Sequence, residues 1–451
     1  MKHFPDPHRR LNIAVVGSGI AGLSAAWLLS QRHAVTVFEA DDRIGGHSHT
    51  VDRGGVAVDT GFIVYNEVTY PNLTALFRHL DVPTVATDMT FAVSVDGGRL
   101  EYAGSDLAGL FAQPRNIVSP RFWSMLRDLV RFYREAPDAI RALGPKASLR
   151  HYLDKANYSP AFREDHLYPM AAAIWSTPSL DIGDYPAESF IRFCENHGLL
   201  KFVGRPIWRT IRGGSRSYVN RLTASFKGDI RIASPVSSIR RGAAGVEVAV
   251  TGQPAERFDH VVIAAHADQA LRMLADPSAD ECAHLGPFTY SRNEAVLHSD
   301  PALMPCRRKA WAAWNYLAAT APAAGQPMRP GVTYWMNKLQ DIDAATPRFV
   351  SLNPPIAPAA GTVLWQGTYE HPRFNMATGE AQPKLWSLQG TRNTWFCGAY
   401  FGAGFHEDAL QSGLAVAEEL GGVRRPWTVA GESDRIVMTR RAAPAGMLAA
   451  V

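Results

Sequence analysis

A glycine-rich motif near the N-terminus has the residue types and the spacing that hold a dinucleotide. Gly17 permits a tight turn, Gly19 lets the backbone approach a pyrophosphate, and Gly22 lets a helix pack closely on a strand. A helix that begins here would face the phosphates with free N–H groups and a partial positive charge. Glu39 lies twenty residues after Gly19, a distance at which an acid binds a ribose diol. The motif, a G-x-G-x-x-G, consists of Gly17, Ser18, Gly19, Ile20, Ala21 and Gly22.

The segments around this motif predict the strand, helix and strand that such a site requires. LNIAVV at 11–16 is a continuous apolar run, short enough for one buried strand. LSAAWLLSQ at 23–31 has helical spacing of apolar residues, and HAVTVFEA at 33–40 predicts a second strand that ends at Glu39. An acid at this place favours an adenosine ribose with a free 2′-hydroxyl. The sequence therefore predicts a site for FAD or NAD rather than NADP.

A membrane-spanning helix is the competing interpretation of this region, because residues 11–31 carry no charge. Glycines, serines and an asparagine interrupt the run where the nucleotide fold needs them, so we favour the nucleotide fold. The segment MKHFPDPHRR, which precedes the first strand, contains no apolar stretch. We expect a cytoplasmic protein.

Composition argues against several classes of function. The net charge of +4 on 451 residues is too small to indicate a nucleic-acid partner, and no long block of lysine and arginine occurs. The four cysteines are scattered, with no C-x-x-C and no cysteine–histidine cluster, which argues against a metal site and a disulfide framework. Scattered cysteines of this kind indicate a reducing compartment. They are Cys194, Cys282, Cys306 and Cys397.

The residues after Glu39 resemble an extension of the nucleotide motif found in the flavin amine oxidase and phytoene desaturase superfamily. That extension reads E-x-x-x-R-x-G-G-R and carries contacts to the FAD diphosphate, and plain NAD dehydrogenases lack it. Here Arg43 and the glycine pair at 45–46 match, and His47 replaces the last arginine. The resemblance implies FAD as the cofactor, with one charged diphosphate contact altered. The contacts that it implies are Glu39, Ala40, Arg43, Gly45, Gly46, His47 and Ser48.

Later segments resemble further motifs of the same superfamily. An Asp-x-Gly beside the isoalloxazine corresponds to 59–61, a valine whose backbone meets the adenine to Val236, and a closing strand to 259–265. A glycine that meets the pyrophosphate corresponds to Gly398, and a helix starting near Asp408 would stabilise negative charge on the flavin pyrimidine. The implied contacts are Asp59, Thr60, Gly61, Val236, Ala264, Gly398, Ala399, His406, Asp408 and Ala409.

Because these motifs are interleaved with other segments, the resemblance implies two discontinuous domains. It predicts an α/β fold whose Rossmann-like FAD-binding domain has a parallel sheet and a β-hairpin crossover. The other domain is an α+β substrate domain with a mixed sheet and a helical insertion. We expect the FAD-binding domain at 11–61, 208–268 and 392–425, the substrate domain at 62–207 and 269–391, and a disordered tail at 429–451.

The predicted substrate domain favours a hydrophobic substrate. Strand-like segments between 270 and 390 carry many tryptophans and tyrosines but few charges, which favours an apolar or planar ligand. The motifs GGHSHTV, AAHADQAL and FHEDALQSG resemble bacterial FAD/NAD-binding proteins associated with cyclopropane-fatty-acid-synthase-like genes, which implies a lipid or fatty-acyl substrate. The amphipathic segment at 122–136 is either a core-facing helix or a peripheral contact with the inner face of the membrane.

The residues leave three functions open. The first is an FAD-dependent dehydrogenase, desaturase or isomerase that transfers hydride from a hydrophobic substrate to flavin N5. The second is a flavin amine oxidase, although the segment 288–298 lacks the lysine that such enzymes often place there. Lys338 is open either as its substitute or, the interpretation we favour, as a structural or surface lysine. The third is a non-catalytic FAD-binding protein. The sequence does not indicate an oligomeric state. Candidate proton carriers are His406, Tyr369 and His371, each with a structural role equally open.

Overall fold

Two compact units make up the chain. The first consists of Met1–Arg43, Phe226–Pro287 and Thr378–Val451, and the second of Ile44–Ser225 and Phe288–Ala377. The assignment of FAD-binding and substrate domains made above stays a prediction. The structure is a computed structural model, and it describes residues 9–139, 147–175, 181–201, 203–242, 245–318 and 331–438.

A parallel five-stranded sheet forms the centre of the first unit. Its strands are β1 (Asn12–Val16), β2 (Ala34–Phe38), β10 (Asp229–Arg231), β14 (His260–Ile263) and β20 (Thr394–Phe396). Their order is β10-β2-β1-β14-β20, and every neighbouring pair is parallel. Residues 13–16 and all of β14 are buried, as expected for apolar runs in the middle of such a sheet. The predicted Rossmann-like fold is confirmed.

A small antiparallel sheet connects β10 to β14 and confirms the predicted hairpin crossover. It consists of β11 (Val236–Gly242), β12 (Gly245–Val250) and β13 (Glu256–Phe258). The helices of the first unit are α1 (Ile20–Leu29), α10 (Ala267–Met273), α11 (Ala279–Leu285) and α14 (His406–Gly421).

Helix α1 explains why the sequence between 11 and 31 carries no charge. All ten of its residues are buried, because the helix packs on β1 and β2 and also against α14. A helix covered on every side is apolar all round without spanning a membrane. Among the helices of the described residues, none combines the length and the hydropathy needed to cross a bilayer.

A mixed seven-stranded sheet forms the centre of the second unit. Its strands are β7 (Phe91–Val95), β8 (Leu100–Ala103), β15 (Thr289–His298), β16 (Trp314–Ala318), β17 (Gly331–Trp335), β18 (Phe349–Leu352) and β19 (Val363–Arg373). Their order is β19-β15-β18-β17-β16-β7-β8, and only the pair β16–β7 is parallel. The predicted mixed sheet is confirmed.

Two smaller sheets and a group of helices complete the second unit. Strand β3 (Thr50–Arg53) pairs with β4 (Val56–Asp59), and β9 (Trp208–Ile211) lies between β5 (Val64–Asn66) and β6 (Thr84–Thr87). The helices are α2 (Pro71–His79), α3 (Leu107–Leu110), α4 (Pro120–Ala139), α5 (Leu149–Lys155), α6 (Pro160–Phe162), α7 (Tyr168–Trp175), α8 (Ala187–Asn196), α9 (Arg216–Ala224) and α12 (Met336–Leu339), with α13 (Met376–Ala381) at the boundary of the units.

Helix α4 turns its predicted apolar face toward the core. Phe122, Met125 and Phe132 are buried along this face. The core-facing interpretation of the amphipathic segment is therefore correct for these side chains.

The chain after α14 is anchored as far as Ile436. Ile436 is only 4% exposed, and the Arg435 guanidinium lies 2.6 Å from the buried carboxylate of Asp408. The expected disorder therefore does not begin at 429, because an apolar anchor and an ion pair hold this segment. Residues 439–451 of the expected tail lie outside the described residues.

Candidate functional site

The glycine-rich motif forms a tight turn between β1 and α1. Gly17 has a φ of 101°, and a Cβ at this position would lie 2.7 Å from the carbonyl oxygen of Ala264. A Cβ on Gly22 would lie 1.9 Å from the carbonyl oxygen of Gly17, so glycine is required where the helix meets the turn. Gly19, in contrast, has no atom within 4 Å of its Cβ position. Helix α1 begins at Ile20, with no side-chain cap at Gly19 and no acidic residue in its first turn, so the positive end of its dipole is not neutralised by a side chain of that turn.

Glu39 follows β2, and its carboxylate lies beside this turn. Its Oε2 accepts hydrogen bonds from the backbone N–H of Ser18 at 2.8 Å and from the Ser18 hydroxyl at 2.5 Å. Its backbone oxygen accepts a hydrogen bond of 2.7 Å from Ser234, two residues before β11 begins at Val236. The first unit thus brings the predicted phosphate, ribose and adenine residues to one end of the sheet.

The carboxyl ends of β14 and β20 lie at the same edge. Ala264 follows β14, and its carbonyl oxygen lies against Gly17 as described above. Gly398 and Ala399 follow β20, and the N–H of Gly398 donates to the Ser412 hydroxyl of α14 at 2.9 Å. Ligands of open α/β sheets bind outside the carboxyl ends of the strands, so this edge is the candidate nucleotide site.

The first turn of α14 holds predicted flavin contacts and one predicted proton carrier. Asp408 is buried and accepts a hydrogen bond of 2.7 Å from the N–H of Phe405, which caps the helix, and Ala409 follows it in the buried first turn. Burial raises the pKa of Asp408, and the Arg435 guanidinium opposes that change. His406 is half-buried, and burial lowers the pKa of its imidazole to about 3. So weak a base is neutral at neutral pH, which favours a hydrogen-bonding role for His406 over proton uptake.

The extension after Glu39 crosses from one unit to the other. Ala40 is exposed, and Arg43 is half-buried with its guanidinium 3.9 Å from the carboxylate of Asp41. These residues belong to the first unit, whereas the glycine pair at 45–46 belongs to the second.

The glycine pair lies in a loop that packs against the turn at 59–61. Ser48 donates its N–H to the carbonyl oxygen of Gly45 at 2.9 Å, and the hydroxyls of Ser48 and Tyr218 are 2.5 Å apart in a buried contact. A Cβ on Gly61 would lie 2.2 Å from the carbonyl oxygen of His47. The two implied flavin-binding segments of this unit are therefore in direct contact.

Asp59 is the centre of a hydrogen-bond network in the second unit. Its buried carboxylate accepts from the N–H and hydroxyl of Ser215, each at 2.8 Å, from Thr50 Oγ1 at 2.6 Å and from Gln340 Nε2 at 2.8 Å. Burial raises the pKa of Asp59 to about 6, and these hydrogen bonds oppose the rise. Asp59 thereby joins the β3–β4 hairpin to the start of α9 and the end of α12, and it positions the turn that contains Thr60.

Tyr369 and His371, the other predicted proton carriers, lie on β19 in a cluster of imidazoles. The ring centroid of His47 is 5.1 Å from that of Tyr369 and 5.4 Å from that of His371. The Tyr369 hydroxyl is 3.0 Å from His49 Nδ1 and 2.7 Å from Thr60 Oγ1. We call His47, His49, Thr60, Tyr369 and His371 the histidine cluster.

The role of His49 in this cluster was not foreseen in the sequence. His47 and His49 are two residues apart in the sequence, as are Tyr369 and His371, which share one side of strand β19. That spacing is the signal that could have found His49. His371 accepts a hydrogen bond of 2.9 Å at Nδ1 from Asn293 on the neighbouring strand β15, which fixes its ring.

The sheet face that carries Tyr369 is apolar and aromatic over most of its area, with the polar residues Asn293, His371 and Arg373 at its β15–β19 end. Strand register places Tyr369 opposite Asn293, and the same face continues across the sheet to β8. Within the described strands this face has no aspartate, glutamate or lysine. Its apolar members, which join the main core of the unit, include Phe91, Val93, Val95, Tyr102, Ala295, Leu297, Trp314, Tyr316, Val332, Tyr334, Val350, Leu352 and Trp365.

Lys338, the substitute for the amine oxidase lysine, has other partners. Its Nζ is 3.1 Å from the carboxylate of Asp88 and 3.4 Å from the Thr90 hydroxyl. Lys338 therefore forms an ion pair beside β6 and is not a member of the sheet face that carries Tyr369.

Comparisons with known proteins agree with this arrangement. A sequence profile of the family described as "Flavin containing amine oxidoreductase" matches residues 20–293. A probable polyamine oxidase 4 of Arabidopsis thaliana is 33% identical over 132 residues, which are 29% of this chain and 25% of that protein. A 1-hydroxycarotenoid 3,4-desaturase of Flavobacterium sp. is 37% identical over 78 residues, 17% of this chain and 15% of that one. The alignments thus span a quarter or less of these two relatives.

The fold is also shared with a solved structure over almost its whole length. A "CLA-producing fatty acid isomerase from P. acnes" superposes with a TM-score of 0.64 at 15% identity, covering 91% of this chain and 98% of that one. This chain belongs to the flavin-containing amine oxidoreductase family, a family of FAD-dependent oxidoreductases. The family, the fold class, the enzyme class and the FAD cofactor expected from the sequence are confirmed. The association with cyclopropane-fatty-acid-synthase-like genes stays a prediction.

Proposed function

We propose that this chain is a dehydrogenase, desaturase or isomerase that removes hydride from a hydrophobic substrate of the lipid or fatty-acyl class. The supporting observation is the sheet face around Tyr369, which carries no acid and no lysine in the described strands. A cationic amine would lose its hydration against such a face without gaining an opposite charge. An alkyl chain gains about 0.8 kcal/mol for each methylene group that it buries. When bound, FAD supplies the hydride acceptor at flavin N5.

The residues of the first unit fit the adenosine diphosphate part of FAD. The open space beside Gly19 and the acid-free first turn of α1 suit a pyrophosphate, and Glu39 at the end of β2 suits the adenosine ribose. In this proposal residues 17–22, 398 and 399 bind the pyrophosphate, and the backbone of Val236 binds the adenine. The other contacts are Ala40, Arg43, Gly45, Gly46, His47, Ser48, Thr60, Gly61, Ala264, His406, Asp408 and Ala409, with Asp59 as a positioning residue.

Tyr369 is the residue that we assign to proton transfer. A desaturation is complete when a carbon beside the one that lost hydride also releases its proton. Tyr369 Oη can take that proton while its own proton passes to His49 Nδ1, 3.0 Å away. Thr60, at 2.7 Å, holds the hydroxyl in place.

The test is purification with an absorption spectrum, followed by anaerobic bleaching of the flavin with a panel of unsaturated and cyclopropanated lipids and a panel of amines. We expect bleaching by a lipid. Tyr369→Phe should keep the flavin spectrum but bleach about 100-fold more slowly. The matched control is Tyr152→Phe, a buried tyrosine on α5 outside the histidine cluster. Bleaching by amines alone would overturn the proposed substrate class.

Amine oxidation is the second candidate function. The observation that favours it is an aromatic pair on the same sheet face, Trp365 and Tyr369, whose ring centroids lie 6.2 Å apart. Such a pair can hold an ammonium group by cation–π attraction. The amine panel of the same experiment decides between the two candidates.

We also propose a peripheral membrane contact, at a place other than the buried face of α4. Four large apolar side chains between α3 and the start of α4 are exposed: Leu107 at 76%, Ile117 at 53%, Val118 at 80% and Trp123 at 50%. The Trp123 indole donates to the carbonyl oxygen of Ile117 at 2.7 Å, which holds the patch together, and exposed Arg115 adds positive charge. Apolar residues with a tryptophan and a basic residue suit an anionic lipid surface.

Vesicle co-sedimentation tests this contact. We expect binding to vesicles that contain anionic phospholipid and a loss of binding in the double variant Val118→Ser, Trp123→Ala. The control is Ile356→Ser, which removes an apolar side chain that is 56% exposed elsewhere in the second unit. Equal binding by the double variant and the wild type would contradict the proposal.

A further inference from the structure

A buried histidine among the helices of the second unit has a ring nitrogen without a partner. His166 is 7% exposed and lies in a π-helical turn, Arg163–Leu167, between α6 and α7. Its ring stacks on Phe162 with centroids 6.1 Å apart. Among the residues that the structure describes, no hydrogen-bonding group reaches His166 Nε2. π-Helical turns are rare in proteins, and a large share of those that are known lie at functional sites.

The contacts of Nδ1, the other ring nitrogen, show which nitrogen of His166 carries the proton. The Tyr102 hydroxyl donates to the carbonyl oxygen of Asp165 at 2.8 Å, and the Tyr102 hydroxyl oxygen also lies 2.9 Å from His166 Nδ1. A tyrosine hydroxyl has a single proton, so Nδ1 must carry its own proton and donate it to Tyr102. Burial lowers the pKa of His166 to about 4, so the ring is neutral at neutral pH. Nε2 therefore presents a bare lone pair.

An ion pair holds the turn at the residue before His166. The Arg121 guanidinium binds the Asp165 carboxylate with two hydrogen bonds, of 2.7 Å and 3.1 Å, next to His166 in the chain. A buried acceptor without a partner is costly, and native proteins retain few of them.

A second unsatisfied polar atom lies in the same part of the unit. Trp314, which packs against the main core cluster on β16, has a buried indole N–H without an acceptor among the described residues. Helix α7, which follows His166, packs on β16. The apolar interior of this unit therefore contains both a donor and an acceptor that a polar ligand group could satisfy.

We propose that His166 Nε2 accepts a hydrogen bond from the polar head of the substrate, and that this head is a neutral donor such as a hydroxyl or an amide N–H. A carboxylate offers only acceptors and would place its negative charge against the lone pair. An ammonium group would be buried without an opposite charge. The inference rests on the proposed function, because it takes the rest of the substrate to be an apolar chain.

The test compares two ligands of equal chain length, a long-chain primary alcohol and its methyl ether, by their effect on the flavin absorption of the FAD-loaded protein. We expect the wild type to bind the alcohol at least about tenfold more tightly, because the ether leaves Nε2 unsatisfied. His166→Asn keeps an amide N–H near the position of Nδ1 for Tyr102 but removes Nε2. It should bind the two ligands equally and unfold at an unchanged temperature. His197→Asn, at a buried histidine after α8, is the control and should keep the preference.

Each other outcome counts against the inference. Equal binding of alcohol and ether by the wild type overturns the inference. A preference for the alcohol that survives in His166→Asn overturns it as well. Neither result counts against the proposed function. Binding of neither ligand overturns the hydrophobic substrate class and the inference with it. If His166→Asn does not fold, the 15N signal of His166 Nε2 in the wild type replaces it. The alcohol should move that signal toward the value of a hydrogen-bonded nitrogen, and an unmoved signal overturns the inference.

Discussion

At the scale of single residues, burial and hydrogen bonding act on the pKa of Asp59 in opposite directions. Burial is the larger effect and raises the pKa from 3.8 to about 6. Between these two values the folded protein holds a proton that the unfolded chain has released. The contribution of Asp59 to the free energy of unfolding therefore decreases as the pH rises through this window, by up to about 3 kcal/mol.

We expect Asp59→Asn to remove this pH dependence. Urea unfolding of the wild type and the variant between pH 4 and pH 7, at one FAD concentration, measures it. The wild type should lose stability relative to the variant as the pH rises to about 6, and the difference should then stay constant. Asp42→Asn, at an exposed aspartate, serves as the control. Parallel stability curves for the wild type and Asp59→Asn would contradict the assignment.

The histidine cluster shows which part of a site can be predicted from residues alone. The alternation of His47 with His49, and of Tyr369 with His371, is visible in the sequence. The hydrogen bond between His49 and Tyr369 joins residues 320 positions apart. It depends on the packing of a loop against β19, for which no local pattern exists. The same holds for Asp59 and its donors, since the turn is recognisable in the sequence and its partners are not.

At the scale of elements, the turn between β1 and α1 separates two demands on glycine. Gly22 is required by the packing of the fold, because its Cβ would meet the carbonyl oxygen of Gly17. Gly19 has open space at its Cβ position, so only a bound pyrophosphate would require a glycine there.

Alanine at these two positions should therefore give different results. We expect Gly19→Ala to leave the unfolding temperature of the FAD-free protein unchanged and to weaken FAD binding about tenfold or more. Gly22→Ala should lower the unfolding temperature and also weaken FAD binding. Thermal unfolding of the stripped protein and titration with FAD measure the two effects. A Gly19→Ala variant that binds FAD as the wild type does would count against a pyrophosphate at this turn.

The segment after α14 is held to that helix by the ion pair of Arg435 with Asp408. The Asp408 carboxylate is fully buried, so Arg435→Ala leaves a buried charge without its cation. We expect a loss of about 3 kcal/mol in the free energy of unfolding. The double variant Asp408→Asn, Arg435→Ala should recover part of it, because the unpaired charge is then gone. Chemical denaturation measures both variants, and an unchanged single variant would show that the pair contributes little.

At the scale of the whole molecule, FAD should stabilise the fold. A ligand that binds only the folded state raises the free energy of unfolding by about 2.7 kcal/mol when its concentration is 100 times its Kd. We expect the stripped protein to unfold at a lower temperature and added FAD to restore the original value. NAD should restore little, because the extension after Glu39 that distinguishes the flavin family has no counterpart in plain NAD dehydrogenases. Equal restoration by NAD would contradict the cofactor specificity.

Much of the architecture could be predicted because its signals are local. Each signal lies within a short stretch of sequence. β1, the glycine-rich turn and Glu39 all fall between residues 11 and 39, and β14 is a single apolar run. The chain after α14 was misread, since its composition resembles a tail and its anchor, Ile436, is a single residue. The exposed patch around Trp123 was also missed. An apolar residue at a helix start has the same local pattern whether it is buried or exposed.

The strand order of the first unit has a consequence for synthesis on the ribosome. β1 pairs with β14, so that Ile13 lies beside His260, and β20 joins the far edge of β14 only with residues 394–396. β1 has no central neighbour until residues 260–263 have been synthesised. During translation the N-terminal β1–α1–β2 segment thus presents an unpaired apolar edge, which is the kind of surface that nascent-chain chaperones shield.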